Sequence, residues 1–593
     1  MQTIAANKKI LSGNEAIAHG AYAGGVGVAS AYPGTPSTEI LENVAKFPEI
    51  YCEWAVNEKV GMEVAIGASF AGVRALTTMK HVGLNVAMDP LMTFAYLGAN
   101  GGMVVVSADD PGMHSSQNEQ DNRLIAKFAK IPMLEPSDSQ ECYDMMILAL
   151  EISEEFNAPV LLRTTTRISH SSGIVDLGDF ERLPRGERYY KKDITKTIPV
   201  PMIARKMRLE LEDKLAKLTE YSSNTRLNRI ERGNKTGIIT SGISYQYARE
   251  AFPDASILKL GMTFPLPTDL IQKFVSTVDK VYIVEEGEPY LEEQIRAMGI
   301  KVEDAKTNLR IGELNPDRLE ALACELEGTC LPDPALAMDG LPARPPVLCP
   351  GCSHRGVFFA LSRLKAIVTG DIGCYSLGAF APLSAMDTIV CMGAAIGNAH
   401  GLEKADQQGR IAAVMGDSTF FHSGITGLLN VVYNKGASTI VVLDNRTTAM
   451  TGHQDNPGTG KTLMGKETVE TRVEDIAKGL GVKRVRVIDP YNLEETYNVL
   501  KEELEADEPS VVVSKKACVL GAKIKVLKQY DVISDKCKAC GACLKLGCPA
   551  IEVADTDSEN PKIKKARVNN VLCVGCGMCV QVCKFDAIEE TTL

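Results

Sequence analysis

Cysteines at Cys537, Cys540, Cys543 and Cys548, and again at Cys573, Cys576, Cys579 and Cys583, give the spacings C-x2-C-x2-C-x4-C-P and C-x2-C-x2-C-x3-C. Eight of the 17 cysteines of the chain fall in its last sixty residues. Three thiolates spaced three residues apart reach one centre together, which suits an iron-sulfur cluster. Zinc also uses C-x2-C half-sites but takes them in pairs, so triple runs favour iron. Clusters carry electrons, and another part of the chain must supply or consume them.

Two further constellations offer oxygen and acid. In GDSTFFHSGITGLLNVVYNKGASTIVVLDN, Gly416 to Asn445, a strand, a helix and a second strand place Asp417 and Asn445 beyond strand carboxyl ends, where ligands of parallel sheets sit. An Asp carboxylate and an Asn carbonyl suit Mg2+ shared with phosphate, and Gly416 permits close backbone approach. Alone, the pattern also reads as a turn. In EWAVNEKVGMEVAIGASFAG, Asn57 can cap a helix whose first turn carries Glu58. Glu58 is either a functional acid or a helix-dipole partner, with Glu53 and Glu63 as rivals. Gly61, Ala65, Gly67, Ala68 and Ala71 make that helix thin. YPGTPST reads as a turn into a helix capped by Ser37 or Thr38. Cys349-Pro-Gly-Cys352 reads as a redox pair or half a metal site, and His354 as a structural hydrogen-bonder.

The tail resembles bacterial-type ferredoxins, in which each cluster takes its fourth ligand from the other run. By that resemblance one cluster is held by Cys537, Cys540, Cys543 and Cys583, and the other by Cys573, Cys576, Cys579 and Cys548. Four residues precede Cys548 where three are usual, and Lys584 stands where proline often follows. The GD to N arrangement, with Ser418 where many members have glycine, resembles the thiamine diphosphate signature. With CPGCSHRG, GDIGCYSLG, CMGAAIGNAHGLEKA and GNEAIAHGAYAGGVGVASAYPGTPSTEI, the chain resembles the 2-oxoacid:ferredoxin oxidoreductases, most nearly the alpha subunits of the indolepyruvate type.

That resemblance implies roles. Asp417, Asn445 and the backbone carbonyl of Thr447 would hold Mg2+, with Gly416 and Ser418 at the diphosphate. The loop of Cys349, Cys352 and His354 would lie against the cofactor. Glu58 would be the acid that activates thiamine diphosphate through its ring nitrogen, and Thr35 would lie near the substrate. The implied reaction is oxidative decarboxylation of an arylpyruvate (indolepyruvate, phenylpyruvate or hydroxyphenylpyruvate), with electrons passing to two [4Fe-4S] clusters and external ferredoxin, and the acyl group to coenzyme A. A smaller beta subunit and a second copy of the large chain are the implied partners. Branched-chain or small 2-oxoacids are the alternative substrates. A non-catalytic electron-transfer subunit is the alternative role, against which Glu58, Asp417 and Asn445 weigh.

Positioning these groups takes several domains, and 593 residues allow three or four. Apolar runs alternating with helical stretches predict parallel α/β units. The expected organisation is a pyrimidine-binding α/β domain over 1–180, a charged connector without strands over 181–233, and a smaller α/β middle domain over 234–330. A Pro-rich linker over 331–346, a pyrophosphate-binding α/β domain over 347–525 and a two-cluster ferredoxin domain over 526–593 complete it. The net charge of -11 and the lack of a basic block exclude nucleic acid and an anionic membrane surface as partners. No run approaches the roughly 18 apolar residues of a membrane span, and the first residues lack a secretory core, so a cytoplasmic location is expected.

Overall fold

The computed structural model describes residues 7–178, 182–183, 190, 192–305, 307, 309–327, 346–405, 409–522, 526–554 and 565–591. The chain divides into two compact units, Met1–Asp339 and Gly340–Leu593.

In the first unit a seven-stranded sheet runs in the order Met262–Phe264, Met133–Leu134, Val160–Thr165, Met103–Asp109, Ala75–Lys80, Val28–Ala31, Tyr51–Trp54. All its pairings are parallel except the first. Every residue of Met103–Asp109 and Val160–Thr165 is buried, as a sheet covered on both faces requires. A second sheet has the order Lys280–Val284, Thr236–Ser241, Ser256–Leu260, Arg229–Glu231.

Two strands cross the expected boundaries. Arg229–Glu231, inside the stretch read as a strandless connector, pairs antiparallel with Ser256–Leu260. Met262–Phe264, from the middle segment, forms the edge of the first sheet. One core cluster runs from Met62, Met79 and Phe94 through Met133 to Leu258, Phe274 and Tyr290, so both sheets share a single interior. Short runs such as RIE and MTF carry no pattern of their own, and pairing partners make them strands. The rest of the connector is mainly the helix Pro201–Asn224. Residues 331–345 of the expected Pro-rich linker lie outside the described residues.

The second unit contains a six-stranded parallel sheet ordered Thr388–Ile389, Ile367–Gly370, Ile411–Gly416, Thr439–Asp444, Ser510–Lys515, Arg484–Ile488. Alternate residues fill two cores: Ala412, Val414 and Val441 on one face, Ala413, Met415 and Ile440 on the other. The run TIVCMG yields a strand only at Thr388–Ile389, and both residues are exposed, so no second layer extends it. The helix expected from HSGITG starts earlier, at Asp417–Thr419, and passes through a π-turn over Phe420–Gly424 before Ile425–Tyr433. Such turns recur at functional sites.

The C-terminal segment folds as two antiparallel pairs, Gln529–Val532 with Ile588–Thr591 and Ile551–Val553 with Ala566–Val568. Leu546 and Met578 pack on Leu493, which anchors this module to the six-stranded domain. Among the described residues no helix is long and apolar enough to cross a membrane.

Candidate functional site

In the first unit, Asn57 caps the helix Glu58–Phe70 by accepting the amide proton of Val60 at 2.9 Å. Glu58 is buried, whereas Glu63 is exposed and pairs with Lys59. Glu53 accepts from Ser30 Oγ at 3.0 Å and from Tyr51 Oη at 2.8 Å. Of the three rival carboxylates, Glu58 alone is both buried and seated at a helix start. Gly83 defines its setting: a Cβ there would come within 2.7 Å of Glu58 Oε1 and 2.8 Å of its Cγ.

Thr35 precedes Pro36 through a cis peptide, and Asn14 Nδ2 donates to the Pro36 carbonyl at 2.7 Å. The expected hydroxyl cap is not made. Ser37 occupies the cap position of Thr38–Val44 without a side-chain cap bond, and its Oγ donates instead to Gly34 O at 2.8 Å.

In the second unit, Asp417 is buried at the end of Ile411–Gly416. Its Oδ1 accepts from Ser418 N at 2.8 Å, and Asn456 Nδ2 donates to Oδ2 at 3.3 Å. Burial, with the neighbouring Asp444 carboxylate, raises the Asp417 carboxyl above the ordinary range. Asp444 has Lys515 at 3.7 Å and Arg446 at 3.9 Å, but no described cation pairs with Asp417. A buried acid in that position fits a metal ion, and hard oxygen donors fit Mg2+. Asn445 and Thr447 are buried beside it, with Thr447 N donating to Asn445 Oδ1 at 3.3 Å.

Glycine is required at Gly416 by a protein group: a Cβ would lie 2.9 Å from Cε1 of Tyr375. Tyr375 is fixed by hydrogen bonds to Asp371 and Thr419 beneath the loop. Its ring meets that of His354 edge-on, with centroids 5.9 Å apart. Burial holds His354 neutral, its pKa lowered to about 4. The CPGC loop therefore rests on the residue that underlies the Gly416 turn.

Cys349 and Cys352 have company that spacing did not reveal. Cys374, after Ile367–Gly370, and Cys518, after Ser510–Lys515, end parallel strands on the same sheet edge. Burial pushes the Cys352 thiol up to about 12, with Cys349 and Cys374 as charged neighbours. Burial likewise pushes Cys374 up to about 11, with Cys518 and Cys349 adding. A Cys352 thiol so resistant to ionisation suits a redox pair poorly. As soft donors near one another, the four are of the kind a multi-iron centre uses. Both Cys374 and Cys518 obey the rule that found Asp417 and Asn445, residues beyond strand carboxyl ends.

The ferredoxin-like cysteines line two recesses. Cys548, Cys573, Cys576 and Cys579 surround one, together with Pro350, Gly351 and Arg355 from the six-stranded domain. Cys537, Cys540, Cys543 and Cys583 surround the other. Each recess draws three cysteines from one run and one from the other. Among the described residues no three His, Cys, Asp or Glu side chains converge tightly enough to share a single ion. The thiols border cavities instead, the arrangement a multi-iron core needs. Cys583 Sγ accepts from Ala587 N at 3.3 Å, the kind of amide-to-sulfur bond that tunes clusters.

Family profiles match three parts of the chain: "Pyruvate flavodoxin/ferredoxin oxidoreductase, thiamine diP-bdg" over 19–223, "Thiamine pyrophosphate enzyme, C-terminal TPP binding domain" over 371–514, and "4Fe-4S binding domain" over 566–589. The indolepyruvate oxidoreductase subunit IorA of Pyrococcus abyssi is 44% identical, covering 98% of this chain and 96% of that one. The subunit of the same name from Methanothermobacter thermautotrophicus is 41% identical over 98% and 97%. The 2-oxoglutarate synthase subunit KorA of Archaeoglobus fulgidus is 24% identical over 47% of this chain and 87% of its own.

Proposed function

The chain belongs to the thiamine-diphosphate-dependent 2-oxoacid:ferredoxin oxidoreductases of the indolepyruvate IorA type, and we propose that it oxidatively decarboxylates arylpyruvates, passing the acyl group to coenzyme A and electrons to external ferredoxin. The coarser activity, ferredoxin-linked oxidation of a 2-oxoacid, is that of the family. The substrate class rests on the relatives' names. The observation that carries the electron-transfer reading is the pair of recesses, each walled by four cysteines drawn from both runs.

Thiamine diphosphate, when bound, supplies the electron sink that lets CO2 leave a 2-oxoacid. Each unit supplies residues proposed to act on it. Asp417, Asn445 and the Thr447 carbonyl would hold Mg2+ and through it the diphosphate, with Gly416 and Ser418 giving the backbone its close approach. Tyr375 and His354 pack the floor of that loop and keep it dry. Glu58, buried at a helix start, would present its carboxyl to the cofactor's ring nitrogen. Thr35 would lie near the substrate.

The Cys548, Cys573, Cys576 and Cys579 recess adjoins the CPGC loop, so it seats the inner cluster of the tail. The recess of Cys537, Cys540, Cys543 and Cys583 seats the outer one, which faces ferredoxin. Cys349, Cys352, Cys374 and Cys518 would form a third seat near Asn445 and bring the count to three. A smaller beta subunit and a second large chain complete the assembly.

Anaerobic turnover with a panel of 2-oxoacids, read as viologen reduction dependent on coenzyme A, tests the reading. Arylpyruvates are expected to outpace pyruvate, 2-oxoglutarate and branched-chain acids. Preference for a small or branched acid overturns the aryl assignment, and reduction by none leaves the electron-transfer subunit as the better account.

A further inference from the structure

Among the described residues, no carboxylate pairs with Arg355. It opens the helix Arg355–Leu364 directly after the CPGC loop, and it is 1% exposed. Its Nη1 donates to Leu546 O at 2.7 Å, and its Nη2 to Leu348 O at 2.8 Å and Cys349 O at 2.9 Å. Its Nε has no hydrogen-bond partner, and no described acid forms an ion pair with it. Three neutral carbonyls orient the guanidinium but do not cancel its charge. A buried, uncompensated cation costs several kcal/mol unless an anion lies close.

The guanidinium borders the recess of Cys548, Cys573, Cys576 and Cys579. The missing anion therefore belongs in that recess. A cluster held by four thiolates is a net anion, and reduction adds one more negative charge. A fixed cation stabilises the reduced form more than the oxidised form and raises the potential. The outer recess is bordered by Lys538, on the solvent side, and by no buried arginine.

We propose that Arg355 is the built-in counter-cation of the inner ferredoxin cluster and sets its reduction potential above that of the outer one. The proposal rests on the reading of that recess as a cluster seat. Arg355 touches no substrate, so it is a positioning and tuning residue. Its place between Cys349 and Leu546 puts the charge at the junction that electrons cross on leaving the cofactor domain.

The test is an anaerobic redox titration of the full-length chain, followed by electron paramagnetic resonance and iron analysis, in wild type, Arg355→Gln and Arg355→Lys. Arg355→Gln is expected to keep its iron while the reduction equilibrium of one cluster falls at least tenfold, which is about 59 mV for a one-electron couple. The outer cluster should hold its potential, and Arg355→Lys should keep most of the wild-type value because it keeps the charge. Iron loss from Arg355→Gln with Arg355→Lys intact supports the same conclusion. An unshifted Arg355→Gln with full iron, equal shifts in both variants, or iron loss from both alike makes Arg355 a structural strut and overturns the proposal. Wild-type protein without iron would instead overturn the cluster reading beneath it.

Discussion

The backbone amide of Cys518 donates to the carbonyl of Asn445 at 2.9 Å. The residue proposed to bind magnesium and a thiol outside both ferredoxin runs are thus fastened across neighbouring parallel strands. On that reading, the proposed magnesium seat and the proposed third cluster seat share one sheet edge.

From this follows an iron count. If Cys349, Cys352, Cys374 and Cys518 seat a cluster, anaerobically purified protein should hold about twelve iron atoms per chain at four per cubane. Cys518→Ser should lower that by about a third and leave the two tail clusters in place. A wild-type content near eight would restrict the iron to the tail.

Glu58 can be tested without touching it. A methyl at Gly83 would displace its carboxylate, since Oε1 and Cγ lie within 2.8 Å of the added Cβ. Gly83→Ala should therefore mimic Glu58→Gln, each lowering kcat by about 10²- to 10⁴-fold, the range for a lost proton-transfer group. Diphosphate affinity and iron content should stay near wild type in both. Full activity in Gly83→Ala would mean that the buried carboxylate is not the activating acid.

Glu286 predicts a pH dependence of stability. It is buried, its Oε1 accepts from Leu314 N at 2.7 Å, and its Oε2 has no hydrogen-bond partner. Burial pushes its carboxyl up to about 7, against the attraction of Arg163 and Arg123 and with Glu313 opposing ionisation. The folded state then binds the proton more tightly than the unfolded chain, so this group's stabilisation is full below the ordinary carboxylate value and is lost as pH rises to about 7. Glu286→Gln should remove that slope and raise stability at pH 8 by about 3 kcal/mol. Thermal unfolding at pH 5 and pH 8 checks it: equal gains at both values would show that the carboxylate is not perturbed.

Local patterns exposed the tail motifs, the GD turn and Asn57 as a cap, because each is written within a few residues. Cys374 and Cys518 stayed hidden because single cysteines carry no spacing; sheet order alone brings them to the CPGC loop. GDIGC and SVVVSKKAC nonetheless end strand patterns, so applying the strand-end rule to every strand would have pooled them. Glycine at 416 was legible as a close approach but not its cause, the ring of Tyr375, which lies 41 positions earlier by 416 − 375. The strands Arg229–Glu231 and Met262–Phe264 were invisible since three residues show no period. Ser37 followed the capping preference in type but spent its hydroxyl on Gly34 O.

Gly351 should be the most sensitive point of the electron path. It holds φ +65, which side chains rarely adopt, and a Cβ there would sit 2.2 Å from Cγ2 of Val574, between two cluster cysteines. Its carbonyl accepts from Tyr491 Oη at 2.5 Å, and Gln581 Nε2 from the module donates to Tyr491 O at 2.7 Å. Burial raises the Tyr491 phenol above its ordinary value, with Cys576, Cys352, Asp489 and Cys518 nearby also opposing its ionisation. Gly351→Ala adds backbone strain of about 1–2 kcal/mol and pushes the module outward. Electron transfer falls steeply with distance, so ferredoxin reduction should slow far more than substrate-dependent CO2 release measured with an artificial oxidant. Val574→Ala in the same chain removes the clashing methyls and should recover part of the loss, while Tyr491→Phe alone should give a milder version of it. If Gly351→Ala reduces ferredoxin at the wild-type rate, electrons leave by another route.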